Sequence, residues 1–264
     1  MTQIVYQALR QAAATHPLRE ALVFEGETLT YAAFLAEVDS AARHLRRFGL
    51  GKGAVVAAYS QNRPELMLCY YAAARIGAVF VPLNPNLTGA EVAYAARHSG
   101  ADLLLHEVAG AEIATALALR CAPIETLRHP LDPAPNDPPA EVAPEDDFLI
   151  VYTSGTTGMP KAIVLDHAAQ TRGPAALAAM WGLTEDDVTL VGLPLGYLYG
   201  LSTAAAAGLQ SGGKVVILRR FHPRDVLEAM TLHRATVYHG VPTMFSMMLD
   251  YCEERGLQVD LSAV

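Results

Sequence analysis

The chain has 264 residues, 52% hydrophobic and 17% charged, which suits one large or two smaller folded domains and excludes a disordered protein. Its formal charge of −8 argues against a surface built for nucleic acid or anionic membrane. Cys69, Cys121 and Cys252 are too widely spaced for a disulfide framework or a metal site, so reduced thiols and a cytoplasmic setting are expected. The start, MTQIVYQALRQAA, is amphipathic and lacks the basic and apolar regions of a signal peptide. The most apolar window, Leu66 to Leu83, contains Arg75 and Gly77, which favours a core helix plus a strand over a membrane span.

Residues Ile4 to Ala14 predict an opening helix. Glu20–Phe24 and Glu27–Tyr31, separated by a short glycine turn, predict a hairpin. Thr30 is placed to cap a helix whose apolar positions (Phe34, Val38, Ala42, Leu45) recur at helical spacing, and Gly49 and Gly51 end it. Ala54–Tyr59 reads as a strand, and Pro64–Glu65 opens a helix running to Gly77. Ala78–Val81 is a strand, Thr88–Glu91 a capping box, Glu91–His98 a helix and Ala101–His106 a strand. Strands alternating with helices in this way imply βαβ units and a mainly parallel sheet.

Residues 122–147 are rich in proline and acid. They suit either an extended linker between two α/β lobes, 1–121 and 148–264, or a long surface loop. Beyond them, Phe148–Tyr152 and Ala162–Asp166 read as strands, and Ala168–Trp181 as a helix that Gly173–Pro174 should kink or break. Val188–Gly192, Lys214–Leu218 and Thr236–His239 are further strands. Tyr199–Gln210, Pro223–His233 and Pro242–Arg255 are helices. The expected fold class is α/β, two lobes with mainly parallel sheets.

The chemistry concentrates between the two strands at 148–166. Thr153, Ser154, Thr156 and Thr157 carry hydroxyls that donate to oxyanions, and Gly155 and Gly158 let the backbone approach a ligand closely. Lys161 closes the loop with a point charge. Such a cluster alone also reads as a plain surface loop. The order strand, hydroxyl–glycine loop, Pro–Lys, strand favours polyphosphate binding, although the glycine-to-lysine spacing is not that of the P-loop of NTPases.

YTSGTTGMPK, residues 152–161, resembles the phosphate-loop signature of the adenylate-forming superfamily, which contains acyl-CoA synthetases, adenylation domains of peptide synthetases, and luciferases. Ala162 departs from the glycine usual there. The segment 193–200, LPLGYLYG, resembles the family's LPLFH-x-x-G, with Gly196 and Tyr197 where Phe and His are frequent. A charged histidine role is therefore absent, and an altered pocket is expected. Residues 235–244, ATVYHGVPTM, resemble the family's strand ending in VPT, which implies that Tyr238, His239, Gly240 and Val241, with Tyr197, form the acyl pocket. Taken alone, His239 reads as a hydrogen-bonded structural histidine, and Met244, Met247 and Met248 as core packing. Asp146–Asp147 and Asp186–Asp187 read as solvated pairs, and His167 as structural.

The resemblance covers essentially the whole chain and implies a two-step reaction. A carboxylic acid attacks the α-phosphate of ATP to give an acyl-adenylate and pyrophosphate, and the thiol of coenzyme A then displaces AMP, with Mg²⁺ assisting. The family's adenine and Mg²⁺ segment, its ribose carboxylate and its C-terminal lysine domain have no counterpart in the 264 residues. The expectation is thus an N-terminal part of an acyl-CoA synthetase for a fatty or aromatic acid, with no metal ligand or catalytic residue of its own, unable to complete the reaction alone. The alternatives are a piece of an amino-acid adenylation domain, or a non-catalytic relic. A sheet left partly uncovered would favour association into a homodimer or aggregation.

Overall fold

The hairpin near the N-terminus shows how local sequence dictates geometry. Strands β1 (Glu20–Phe24) and β2 (Glu27–Thr30) are joined by Glu25 and Gly26, with φ of 46° and 86°. Two successive positive φ values match the natural twist of paired strands, and the glycine makes the second one cheap. This hairpin and everything that follows come from a computed structural model describing residues 4–107, 111–116 (backbone alone for 114–116), 119–129, 131, 137–153 and 160–264.

Helix α1 (Val5–Thr15) precedes the hairpin and α2 (Tyr31–Arg47) follows it, capped by Thr30, whose hydroxyl accepts from the Ala33 N–H at 3.2 Å. Next come β3 (Val55–Tyr59), α3 (Pro64–Ile76), β4 (Val79–Leu83), α4 (Gly89–His98) and β5 (Leu103–His106). The α3 helix begins at proline and stops at Gly77 in the left-handed region. The capping box of α4 forms as the sequence implies: the Thr88 N–H donates to Glu91 at 2.8 Å, and the Glu91 N–H to Thr88 at 3.3 Å. Then follow α5 (Ala111–Ala116), β6 (Cys121–Pro123), a 3₁₀ turn (Ile124–Arg128), β7 (Asp147–Thr153), β8 (Lys161–Asp166) and α6 (His167–Trp181). The remainder is β9 (Val188–Val191), a π-helical stretch (Tyr199–Ala206) continuing into α7 (Ala207–Gln210), β10 (Lys214–Ile217), α8 (Pro223–His233), β11 (Val237–His239) and α9 (Pro242–Arg255).

Two sheets form, ordered β6-β5-β3-β4-β7-β8 and β11-β9-β10-β1-β2, parallel except for the pairs β7–β8 and β1–β2. The expected boundary at 122–147 does not separate them. Strands after it (β7, β8) extend the sheet of β3–β6, and the N-terminal hairpin extends the sheet of β9–β11. Nor is the acidic segment a free linker. Asp137 pairs with Arg46 and, at 3.0 Å, with the buried Arg75; the Ala140 N–H donates to the Arg75 carbonyl at 2.9 Å; and Lys52 reaches the Glu141 carbonyl at 3.1 Å. Its carboxylates and carbonyls answer cations of α2, α3 and the turn after α2, which composition alone does not reveal.

Alternation along the strands explains the layers. Val56 and Ala58, and likewise Val215 and Ile217, face one core that also takes in α1, α2 and α3. Ala57 and Leu104 face outward to α4, and Val216 and Leu190 face outward to α8 and α9. Each sheet is thus covered on both sides, as parallel sheets require. Two local expectations change. Helix α6 runs unbroken through Pro174, since it lies packed against α7 and the π-helical stretch. Residues Tyr199–Ala206 adopt a wider helix than expected, starting where Gly200 presses on the Pro194 carbonyl so closely that a Cβ would come within 2.5 Å of it.

Candidate functional site

Ligands of open α/β sheets dock beyond the carboxyl ends of the strands. Here the carboxyl ends of the two sheets are tied together by one side chain just past β3. Asn62 donates to the Leu193 carbonyl at 2.8 Å and the Leu218 carbonyl at 3.0 Å, and accepts from the Leu195 N–H at 2.7 Å. Beside it Arg219, beyond β10, pairs at 2.7 Å with Glu107, beyond β5. The ends of β4, β7 and β9 are thereby brought to one side.

Thr153 closes β7 and Lys161 opens β8, and the antiparallel register sets them opposite each other. Both are exposed, and the Lys161 side chain has no ion pair or hydrogen bond among the described residues. A cation with no partner among the described residues suits an anionic ligand. The loop's base is anchored through Tyr152, whose hydroxyl donates to the Ala95 carbonyl at 3.1 Å and meets His98 Nδ1 at 3.0 Å. Ser154, Gly155, Thr156, Thr157 and Gly158 lie outside the described residues.

A cleft of about 230 Å³ opens at this point, lined by Leu83, Asn84, Tyr152, Thr153, Pro160 and Tyr197 among others. It brings a residue of the expected phosphate loop, Thr153, together with one of the expected acyl pocket, Tyr197. The glycine at 196 also finds its reason: a Cβ there would lie 2.6 Å from Asn84 Cα, so no larger residue fits against this backbone.

The other acyl-pocket candidates gather at the end of β11, an edge strand. His239 is buried and packs against Trp181 (ring centroids 4.7 Å apart) and edge-on to Tyr199 (5.9 Å). Burial holds its pKa below the usual histidine value, which keeps it neutral near pH 7, and its Nε2 has no hydrogen-bond partner among the described residues. Tyr238 stands edge-on to Phe245 at 5.6 Å, and its hydroxyl is pushed up to about 12 by burial and then by Tyr199. Gly240 is hemmed between these two rings, and Val241 is exposed just before α9. Trp181 was not singled out by the sequence; its position as the last residue of α6 was the available signal, but its proximity to His239 is long-range. Of the methionines, Met248 joins the outer core while Met247 is exposed.

Among the described residues no group of three His, Cys, Asp or Glu could hold a metal ion. Asp187 is engaged by Thr184 and Thr236, and Asp146 by Lys52 and the Ala143 N–H. His167 is buried, stacked on Phe148 at 4.5 Å, and pulled down to about 4 by burial. No helix of the described residues is long and apolar enough to cross a membrane.

A family profile described as AMP-binding enzyme matches residues 9–264. A feruloyl-CoA synthase of Amycolatopsis sp. is 35% identical over 243 residues, covering 90% of this chain and 48% of that protein. A 4-coumarate–CoA ligase of Oryza sativa subsp. japonica is 34% identical, covering 82% of this chain and 42% of its own length. Among solved structures, the N-terminal domain of FACL13 from Mycobacterium tuberculosis superposes with a TM-score of 0.87 at 26% identity, over 99% of this chain and 68% of that one. The O-succinylbenzoate coenzyme A synthetase of Bacillus subtilis in complex with AMP gives 0.85 at 28% identity, over 92% and 64%. The chain spans about half the length of the curated relatives it matches. The α/β architecture and the match along nearly all of its length make this chain a member of the AMP-binding enzyme family, in the company of acyl- and aryl-CoA ligases.

Proposed function

We propose that this chain provides the ATP phosphate site and part of the acid-binding wall of an AMP-forming acyl-CoA ligase. The observation that carries this reading is the convergence of Thr153 and Tyr197 on a cleft at the carboxyl ends of β4 and β7, with Lys161 paired opposite Thr153 at the start of β8, within a family of AMP-binding enzymes. Thr153, Ser154, Gly155, Thr156, Thr157 and Gly158 supply hydroxyl and backbone donors to the phosphates. Lys161 offsets the charge that develops as pyrophosphate leaves under attack of the carboxylate on the α-phosphate. Coenzyme A is the thiol that takes the acyl group in the second step. Among the described residues no group of His, Cys, Asp and Glu forms a ligand set for Mg²⁺. Work with ATP and coenzyme A suits a cytoplasmic protein.

The acid is aromatic. Support comes from relatives named for feruloyl, 4-coumarate and indoleacetate substrates, and from the ring surfaces of Trp181, Tyr199 and Tyr238 beside Tyr197, His239, Gly240 and Val241. An amino-acid substrate would need a carboxylate for its amine, and none of these wall residues is acidic. A second reading, association of copies, is favoured by the exposure of Phe245, Met247 and Leu249 on α9. Concentration-dependent sedimentation tests it, and a single monomeric species at all concentrations excludes it.

The principal test follows pyrophosphate release by the full-length protein, with cinnamic-type acids set against long-chain fatty acids. Release should depend on the aromatic acid and fall by about tenfold or more in Lys161→Ala, the loss of one charge-assisted contact. Release that is indifferent to Lys161 would overturn the assignment of the phosphate site.

A further inference from the structure

Asn84, which lines the cleft, carries a side-chain donor that no described residue uses. Asn84 follows β4 directly and is only 2% exposed. Its Oδ1 accepts the Asn86 N–H at 2.7 Å, and its carbonyl accepts the Leu87 N–H at 3.0 Å, which closes a tight turn. The Tyr59 hydroxyl braces that turn from β3, donating to the carbonyls of Pro85 and Leu87 at 3.0 and 3.1 Å. The acceptor and donor ends of a carboxamide lie on opposite sides. With Oδ1 turned to Asn86, the donor Nδ2 is left over, and it is buried without a hydrogen-bond partner among the described residues.

Gly196 fixes the approach from the other sheet. Its backbone sits so close that a Cβ would come 2.6 Å from Asn84 Cα and 2.7 Å from Asn84 N. The Asn84 side chain is therefore held in a rigid turn, pressed by a neighbouring backbone, at the wall of a cleft it shares with Thr153, Pro160 and Tyr197. The carboxylate that also lines the cleft, Glu91, is committed to the Thr88 N–H and hydroxyl, both at 2.8 Å. Buried donors of native proteins are almost always satisfied, and one left open beside a ligand cleft marks a contact to be made by the ligand.

We propose that the Asn84 side-chain amide donates a hydrogen bond to a phosphate oxygen of bound ATP, as a contact from β4 that faces the two flanks of the phosphate loop. The inference rests on the reading of residues 153–161 as the phosphate site. A neutral donor held in a rigid turn strengthens when its acceptor is an oxyanion. Asn84→Asp is the informative variant, because it keeps an oxygen for the Asn86 N–H while replacing the donor with an acceptor.

ATP titrated calorimetrically into the full chain, with Lys161→Ala as reference, tests the assignment. The Asn84→Asp variant should weaken ATP binding by about tenfold or more, and Asn84→Ala by a smaller factor. Asn84→Asp buries an unpaired carboxylate and should lower the melting temperature, so affinities are compared at a temperature where both proteins are fully folded. Wild-type affinity in Asn84→Asp together with loss in Lys161→Ala would overturn the role of Asn84 and leave the loop standing. Unchanged affinity in Lys161→Ala would overturn the loop reading itself. If Asn84→Asp weakens ATP only in proportion to a lowered melting temperature, and Asn84→Ala does the same, Asn84 is a residue of the turn alone.

Discussion

Helices α3 and α9 are built to the same local plan and end in opposite circumstances. Each opens with proline at its first turn and stops at a glycine in the left-handed region, Gly77 with φ 73° and Gly256 with φ 58°. Yet all thirteen residues of α3 are buried, whereas in α9 only Met248 is, and Phe245, Met247 and Leu249 are exposed. Start and stop signals are local, so sequence determines them; burial is decided by what packs alongside. The α3 helix lies under α1, α2 and the first sheet, and even its charges have partners, Glu65 with Arg63 at 2.9 Å and Arg75 with Asp39 at 2.9 Å. Buried ions persist only when paired in this way.

The sharpest way to probe the contrast is to cut into the ring cluster around α3. Phe148 stands 4.9 Å from Tyr70 of α3 and 4.5 Å from His167, both buried. Phe148→Ala should destabilise the fold by about 3–5 kcal/mol in denaturant titration, the usual cost of an aromatic cavity. A loss under about 1 kcal/mol would mean that this core collapses around the void.

The pH dependence of the same cluster comes next in size. His167 is held down to about 4 by burial, partly countered by Asp146 and Asp166, while Lys52 adds to the lowering. The unfolded chain therefore binds the proton between about pH 6.5 and 4, where the folded chain does not. Stability from this group is present above that window and declines as pH falls through it, by roughly 3 kcal/mol in all. Melting curves of His167→Phe should be flatter than wild type across that interval, and identical slopes would refute the burial effect. At the far end of the scale, Leu249→Ala on α9 should change stability by less than about 0.5 kcal/mol. A larger loss, dependent on protein concentration, would show that α9 is covered by another copy.

Much of this molecule was legible in one dimension. The β1–β2 turn, the capping box at Thr88, the proline starts and the strand–loop–strand at 148–166 all rest on contacts a few residues apart. Sheet membership was not legible, because a parallel strand carries no local mark of its partner. Nothing near Leu22 announces that it pairs with Val215, or near Phe80 that it pairs with Leu149. The site divides along the same line. Thr153 and Lys161 were found as neighbours of one motif, whereas Trp181 against His239 and Gly196 against Asn84 are juxtapositions made by the fold. The proline of α6 failed as a breaker for a related reason, since packing outweighed a local penalty.

The pairing of β1 with β10 has a consequence for how the protein is made. Residues 20–24 leave the ribosome early, but their parallel partner at 214–217 is synthesised nearly two hundred residues later. At about 5–20 residues per second, the hairpin waits on the order of ten seconds or more with an unpaired edge. During that interval β1 offers Leu22 and Val23 to any strand within reach, so the N-terminal hairpin gains from a chaperone's cover until β10 arrives.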